Sequence, residues 1–154
     1  MRLALSSDHA GFELKRDLAA SLGQTGHTVL DLGTHSTAPV DYPDAAESVA
    51  EALRKGDAER GIIVCGSGAG VSIAANKFPG IRAAVCHDTY TAHQAVEHDD
   101  MNVLCLGARV VGASLAQDIV TSFLGAAFSG ESRHRRRLDK VLDIERRYTL
   151  ATPR

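Results

Sequence analysis

Five times along the chain a short apolar run gives way to a stretch with helical spacing. This alternation constrains the fold more than any other feature. The runs are RLALSS from Arg2, HTVLDLG ending at Gly33, GIIVCG, GIRAAVCH and MNVLCLG. They are largely continuous rather than alternating, the pattern of strands covered on both faces. Strands of that kind are parallel, and parallel neighbours need a crossover connection, usually a helix. The intervening segments supply one each time. In GFELKRDLAASLG, Phe12, Leu14, Leu18 and Leu22 favour one helical face. After a loop with Pro39 and Pro43, DAAESVAEALRKG reads as a helix stopped by Gly56. GVSIAANK, TYTAHQAVEH and ASLAQDIVTSFLGAAF complete the series, and SRHRRRLDKVLDIERRY adds a helix over about 131–148, with Leu138, Val141, Leu142 and Ile144 opposite a basic face. The expected architecture is α/β: a Rossmann-like three-layer α/β/α sandwich with a five-stranded parallel sheet and an extra C-terminal helix. Residues 1–154 show no linker, repeat or low-complexity segment, so a single domain is expected.

Composition narrows the class of partner. A formal charge of −2 gives no global field to draw the chain to nucleic acid or an acidic membrane. No apolar run approaches the roughly 18 residues of a bilayer-spanning helix, and MRLALSSDHAGF does not read as a secretory signal. Three cysteines, Cys65, Cys86 and Cys105, are an odd number on separate apolar segments, which reads as reduced thiols. A cytoplasmic protein is expected.

In open parallel sheets, ligands bind outside the carboxyl ends of the strands. That rule selects Asp8 and His9, Cys65 to Gly70, His87 and Asp88, and Gly107 to Arg109 as one rim. Within it, CGSGAG places Gly66, Gly68 and Gly70 where a strand turns into a helix. Backbone N–H groups there can converge on an oxyanion, either a phosphate or the oxygen that gains charge when an adjacent carbon is deprotonated. Tight strand–helix packing accounts for the same glycines. The dinucleotide fingerprint fails because Val71 stands where its third glycine belongs, and no Gly-Lys-Ser/Thr follows to make a P-loop. No cofactor is implied.

Cys65 faces that loop, and a helix N-terminus favours a thiolate, which suits a general base. A small buried apolar residue is the alternative, and the preferred reading for Cys86 and Cys105 inside strands. Histidine stands beside aspartate at Asp8-His9, His87-Asp88 and His98-Asp99-Asp100, but no H-x-x-x-H pair falls on a helix, so a metal is not expected. Neutral imidazoles can instead move protons between sugar oxygens, while caps and surface hydrogen bonds account for them equally. Arg133 and Arg137 share a helical face with His134 beside them, an arrangement that can clamp a phosphate or form a solvated basic face. The run lacks interleaved aromatics for an RNA contact.

Taken together, SSDHAGFELK, DYPDAA, CGSGAGVSIAANKFPGIRAAVC, NVLCLGARVVG and RHRRR resemble the type B ribose-5-phosphate isomerases. The related galactose-6-phosphate, allose-6-phosphate and erythrulose-4-phosphate isomerases belong to the same family. The resemblance runs in register from Arg2 to about Tyr148. It implies aldose–ketose interconversion through a cis-enediol, most directly D-ribose 5-phosphate to D-ribulose 5-phosphate, without a metal. It also implies a homodimer, or a tetramer, with active sites between subunits and the C-terminal helix packing on a partner. Position by position, Cys65 is similar to the family's base and Ser67 to its assisting hydroxyl. Gly66, Gly68, Ala69 and Gly70 match the loop whose amides hold the enediolate oxygen. His98 matches the ring-opening residue, with Asp8 and Tyr42 around the sugar hydroxyls. His9, Arg109, Arg133, His134 and Arg137 match phosphate-side positions. One branch of the family uses a glutamate where this chain has Val71; Cys65 with Val71 places the chain in the cysteine branch. Asp99 departs from the family's usual asparagine in the substrate site. An ionised carboxylate accepts hydrogen bonds but donates none, so this position bears on which sugar is preferred. A non-catalytic sugar-phosphate-binding module on the same fold is the rival from another class.

Overall fold

A computed structural model describes residues 1–150. The elements alternate as expected: β1 (Arg2–Ser7), α1 (Phe12–Gln24), β2 (Thr28–Asp31), α2 (Tyr42–Lys55), β3 (Arg60–Cys65), α3 (Ala69–Ala75), β4 (Ala83–Val85), α4 (Thr89–Asp99), β5 (Val103–Gly107), α5 (Ala113–Gly125) and α6 (Ser132–Leu150). The five strands form one sheet in the order β2-β1-β3-β5-β4, and every neighbouring pair is parallel.

Strand side chains alternate between two cores, which makes the three layers. Leu3, Leu5, Ile62, Val64, Leu104 and Leu106 pack against α1, α4 and α5. Ala4, Ile63, Cys65, Val103 and Cys105 face the other way, against α2 and α3. Continuous apolar strands are what two covered faces require. On α5, Ile119, Val120 and Phe123 are fully buried, and each such side chain contributes on the order of 2 kcal/mol through the area removed from water. The left-handed Gly56 closes α2, its N–H bonding the carbonyls of Ala52 and Leu53, as the sequence indicates.

Two boundaries differ from expectation, each for a local reason. α2 begins at Tyr42 rather than Asp44, because Pro43 falls in the first turn, where a helix needs no N–H. β4 is only three residues long, so Cys86 lies just past it, not inside a strand, although its N–H still reaches the Cys105 carbonyl at 3.2 Å. On α1 the buried face includes a cation. Lys15 is 1% exposed, pairs with Asp31 and donates from Nζ to the Thr34 carbonyl at 2.9 Å. Asp31 in turn accepts the Gly33 N–H at 3.1 Å, so the charge braces the turn after β2.

Candidate active site

The rim at the carboxyl ends of the strands holds much of the expected constellation. β3 ends on Cys65, which is 5% exposed, and the chain turns through Gly66-Ser67-Gly68 into α3. Gly68 adopts φ 81°, a left-handed conformation that costs a residue with a Cβ about 1–2 kcal/mol. In that turn the Gly68 N–H points back and donates to Cys65 Sγ at 3.0 Å. Ser67 is exposed, and its Oγ accepts the Ala69 N–H at 3.2 Å.

Three further elements close around this loop. From β1, Asp8 Oδ1 accepts the N–H groups of Ala10 at 2.9 Å and Gly11 at 3.1 Å, which orders the turn into α1. The next residue, His9, has Nδ1 3.2 Å from both the N and the O of Val40. From the start of α2, the Tyr42 ring lies over Gly70, so close that a Cβ at Gly70 would stand 3.0 Å from it. From the end of β5, the Arg109 guanidinium lies over Gly66, with Nη1 3.4 Å from where a Cβ would be. Asp8, His9, Tyr42, Cys65 to Gly70 and Arg109 thus share one rim.

The other expected residues do not join them. α4 runs back from the β4 end to the edge where strands begin. There Asp100 bonds Arg82, and the Arg82 N–H bonds Asn102 just ahead of β5. His98 and Asp99 therefore stand at the opposite end of the sheet from Cys65. α6 starts beside them, with the Ser129 N–H on the Glu97 carbonyl at 3.0 Å and the His134 ring stacked on His98 at 4.0 Å between centroids. His134 is 1% exposed, and Ser129 Oγ lies 2.6 Å from its Nδ1. Burial first, then the charges of His98 and Arg133, holds its imidazole below the usual range. Arg133 and Arg137 flank it on the solvent side, and Arg133 also meets Glu131 at 2.9 Å. One chain therefore carries two half-constellations at opposite ends of its sheet.

The other two thiols are buried as well. Burial, with Asp88 adding to it, pushes Cys86 up to about 11, and burial pushes Cys105 up as well, so neither ionises near neutrality. Among the described residues, no three of His, Cys, Asp and Glu gather as a metal site, and no helix is long and apolar enough to cross a membrane. Sequence reasoning placed His87 on the rim without a role. Its Nε2 accepts the Gly107 N–H at 3.0 Å. Lys15 was overlooked, although its spacing from Phe12, Leu18 and Leu22 puts it on the apolar stripe of α1.

A family model described as ribose/galactose isomerase matches residues 3–141. The chain is 47% identical over 146 residues to the ribose-5-phosphate isomerase B of Escherichia coli (strain K12), covering 95% of this chain and 97% of that one. It is 43% identical over 132 residues to the D-erythrulose-4-phosphate isomerase of Pectobacterium atrosepticum, covering 84% and 86%. Among solved structures, the ribose-5-phosphate isomerase B of Clostridium thermocellum superposes with a TM-score of 0.94 at 51% identity, covering 96% and 99%.

Proposed function

The chain belongs to the ribose/galactose isomerase family, and on that premise we propose that it interconverts D-ribose 5-phosphate and D-ribulose 5-phosphate with Cys65 as the base. A sugar-phosphate isomerase must open the sugar ring and then move a proton between C1 and C2. In this reading the Cys65 thiolate takes the proton from one carbon, leaving a cis-enediolate, and returns it to the other while the hydroxyl proton passes between the two adjacent sugar oxygens, so the thiolate is regenerated. The amides of Gly66, Gly68, Ala69 and Gly70 meet the oxygen that gains charge, and Ser67 assists from the same turn. His98 opens the ring, with Asp8, Tyr42 and Asp99 around the hydroxyls. His9, Arg109, Arg133, His134 and Arg137 receive the phosphate. The observation that carries the reading is the Gly68 N–H on Cys65 Sγ, a sulfur held at the mouth of a loop of backbone donors.

The same reading includes a homodimer. Cys65 and His98 stand at opposite ends of one sheet, so the rim of one copy needs the His98 end of another. α6 suits that arrangement. Val141 and Ile144 are exposed on it, and a cleft of about 990 Å³ runs between it and the β4 side of the sheet, lined by Phe78, Ala84 and Met101.

A second reading keeps the chemistry and changes the sugar to D-erythrulose 4-phosphate, favoured by the Pectobacterium relative. Catalytic efficiency on the two substrates separates them. The mechanism is tested by deuterium exchange: the wild type should move solvent deuterium into ribose 5-phosphate. Cys65→Ala should lower that rate about 10³-fold while substrate affinity stays within about threefold. Full exchange in that variant overturns the thiolate base.

A further inference from the structure

β4 stops at Val85, but β5 continues to Gly107, so the last N–H of β5 on that side meets no strand carbonyl. A buried backbone donor needs an acceptor. The imidazole of His87 supplies it: Nε2 accepts the Gly107 N–H at 3.0 Å. An N–H can be accepted only by an unprotonated ring nitrogen, so this geometry requires the neutral ring with Nε2 bare. Asp88 is not what orients the ring, since it directs its carboxylate to Thr91, accepting the N–H and the hydroxyl at 2.7 Å each.

The turn that begins at Gly107 touches the glycine loop at every residue. The Ala108 N–H donates to the Cys65 carbonyl at 2.8 Å and the Arg109 N–H to the Gly66 carbonyl at 3.1 Å. Gly107 itself lies so close to Ser67 that a Cβ would stand 2.7 Å from the Ser67 carbonyl. From the far end of the turn, the Arg109 side chain lies over Gly66.

We propose that His87 is a positioning residue: it ties the Gly107–Arg109 turn to the end of β4, and so fixes where Arg109 stands over the loop that carries Cys65. The anchoring is independent of the reaction. Its kinetic consequence rests on the reading of Arg109 as a phosphate-side group. Losing the acceptor frees the β4 side of the turn, while Cys65 and its Gly68 donor stay in place. The effect therefore falls on substrate binding more than on proton transfer.

The test compares wild type, His87→Leu and His87→Gln by hydrogen exchange at the Gly107 amide and by kinetics on ribose 5-phosphate. His87→Leu should speed Gly107 exchange at least about tenfold and raise KM about tenfold with kcat within about twofold. Glutamine, whose side-chain oxygen can take the same N–H, should restore both to within about threefold of wild type. Unchanged exchange in His87→Leu, or a glutamine variant no better than leucine, overturns the proposal, as does a fall in kcat at constant KM. In wild type labelled with nitrogen-15 histidine, Nε2 of His87 should be unprotonated at neutral pH. A proton there overturns the proposal without any variant, which decides the case if leucine is not tolerated. If the wild type does not turn over ribose 5-phosphate, the functional reading fails. Gly107 exchange and the Nε2 state then still decide whether His87 anchors the turn.

Discussion

The ring of His98 stacks on that of His134, 4.0 Å between centroids and 27° between planes, at the end of the sheet opposite Cys65. Two copies related by a twofold axis would each offer a rim to the other's histidine pair. Cys65→Ala and His98→Ala should each be inactive alone. Mixed by co-refolding, they form heterodimers with one doubly damaged and one intact site, so an equal mixture should recover about a quarter of wild-type activity. Recovery no greater than the sum of the two variants would place Cys65 and His98 in the same chain's site.

Tyr42 and Gly70 make a second prediction whose two readouts move in opposite directions. Gly70 sits in the first turn of α3 without a left-handed φ, so alanine is favoured there by the helix propensity, up to about 1 kcal/mol. The new Cβ would stand 3.0 to 3.1 Å from the Tyr42 ring, which is 44% exposed and free to swing outward. Gly70→Ala should therefore leave the melting temperature unchanged or raise it by about 2 °C. It should also raise KM several-fold, because the ring leaves its place over the loop. A lower melting temperature with unchanged KM would mean that Tyr42 is fixed in place and contributes nothing to binding.

Lys15 is held by Asp31 and the Thr34 carbonyl, and methionine keeps its volume but neither bond. Asp31 is partly exposed and can turn to water, so the loss is smaller than for a fully buried pair. Lys15→Met should destabilise the protein by about 2 kcal/mol, a fall of roughly 4–8 °C in melting temperature for a chain this long. Denaturant or thermal unfolding checks it. Unchanged stability would show that the turn after β2 needs no brace.

These cases show which parts of the molecule were legible in the sequence. The sheet was, because GIIVCG and MNVLCLG can be covered on both faces only by crossover helices. So was the rim, since Asp8, Cys65 and Arg109 all follow strand ends. The length of β4 was not, because the apolar run AAVC continues past Val85 into Cys86 and nothing in it marks where ladder bonding stops. The burial of Lys15 went unread because its charge outweighed its spacing. The separation of His98 from Cys65 follows from the alternation itself, since a helix after β4 must run back to where the strands begin. Motif matching groups residues by role and says nothing about which end of the sheet they occupy.

His134 carries the last prediction. It is 1% exposed, its Nε2 has no partner among the described residues, and burial, then His98, then Arg133, disfavours its proton. The unfolded chain, with its histidine in water, takes that proton near pH about 6.5. Between the folded and unfolded values the unfolded state binds more protons, so stability rises with pH and is lost on acidification. The wild type should therefore lose more melting temperature between about pH 7.5 and about pH 5.5 than His134→Gln, which has nothing to titrate at that position. Parallel slopes for the two proteins would show that His134 accepts its proton in the folded state as readily as in the unfolded one. The stack on His98 would then be no barrier to charge.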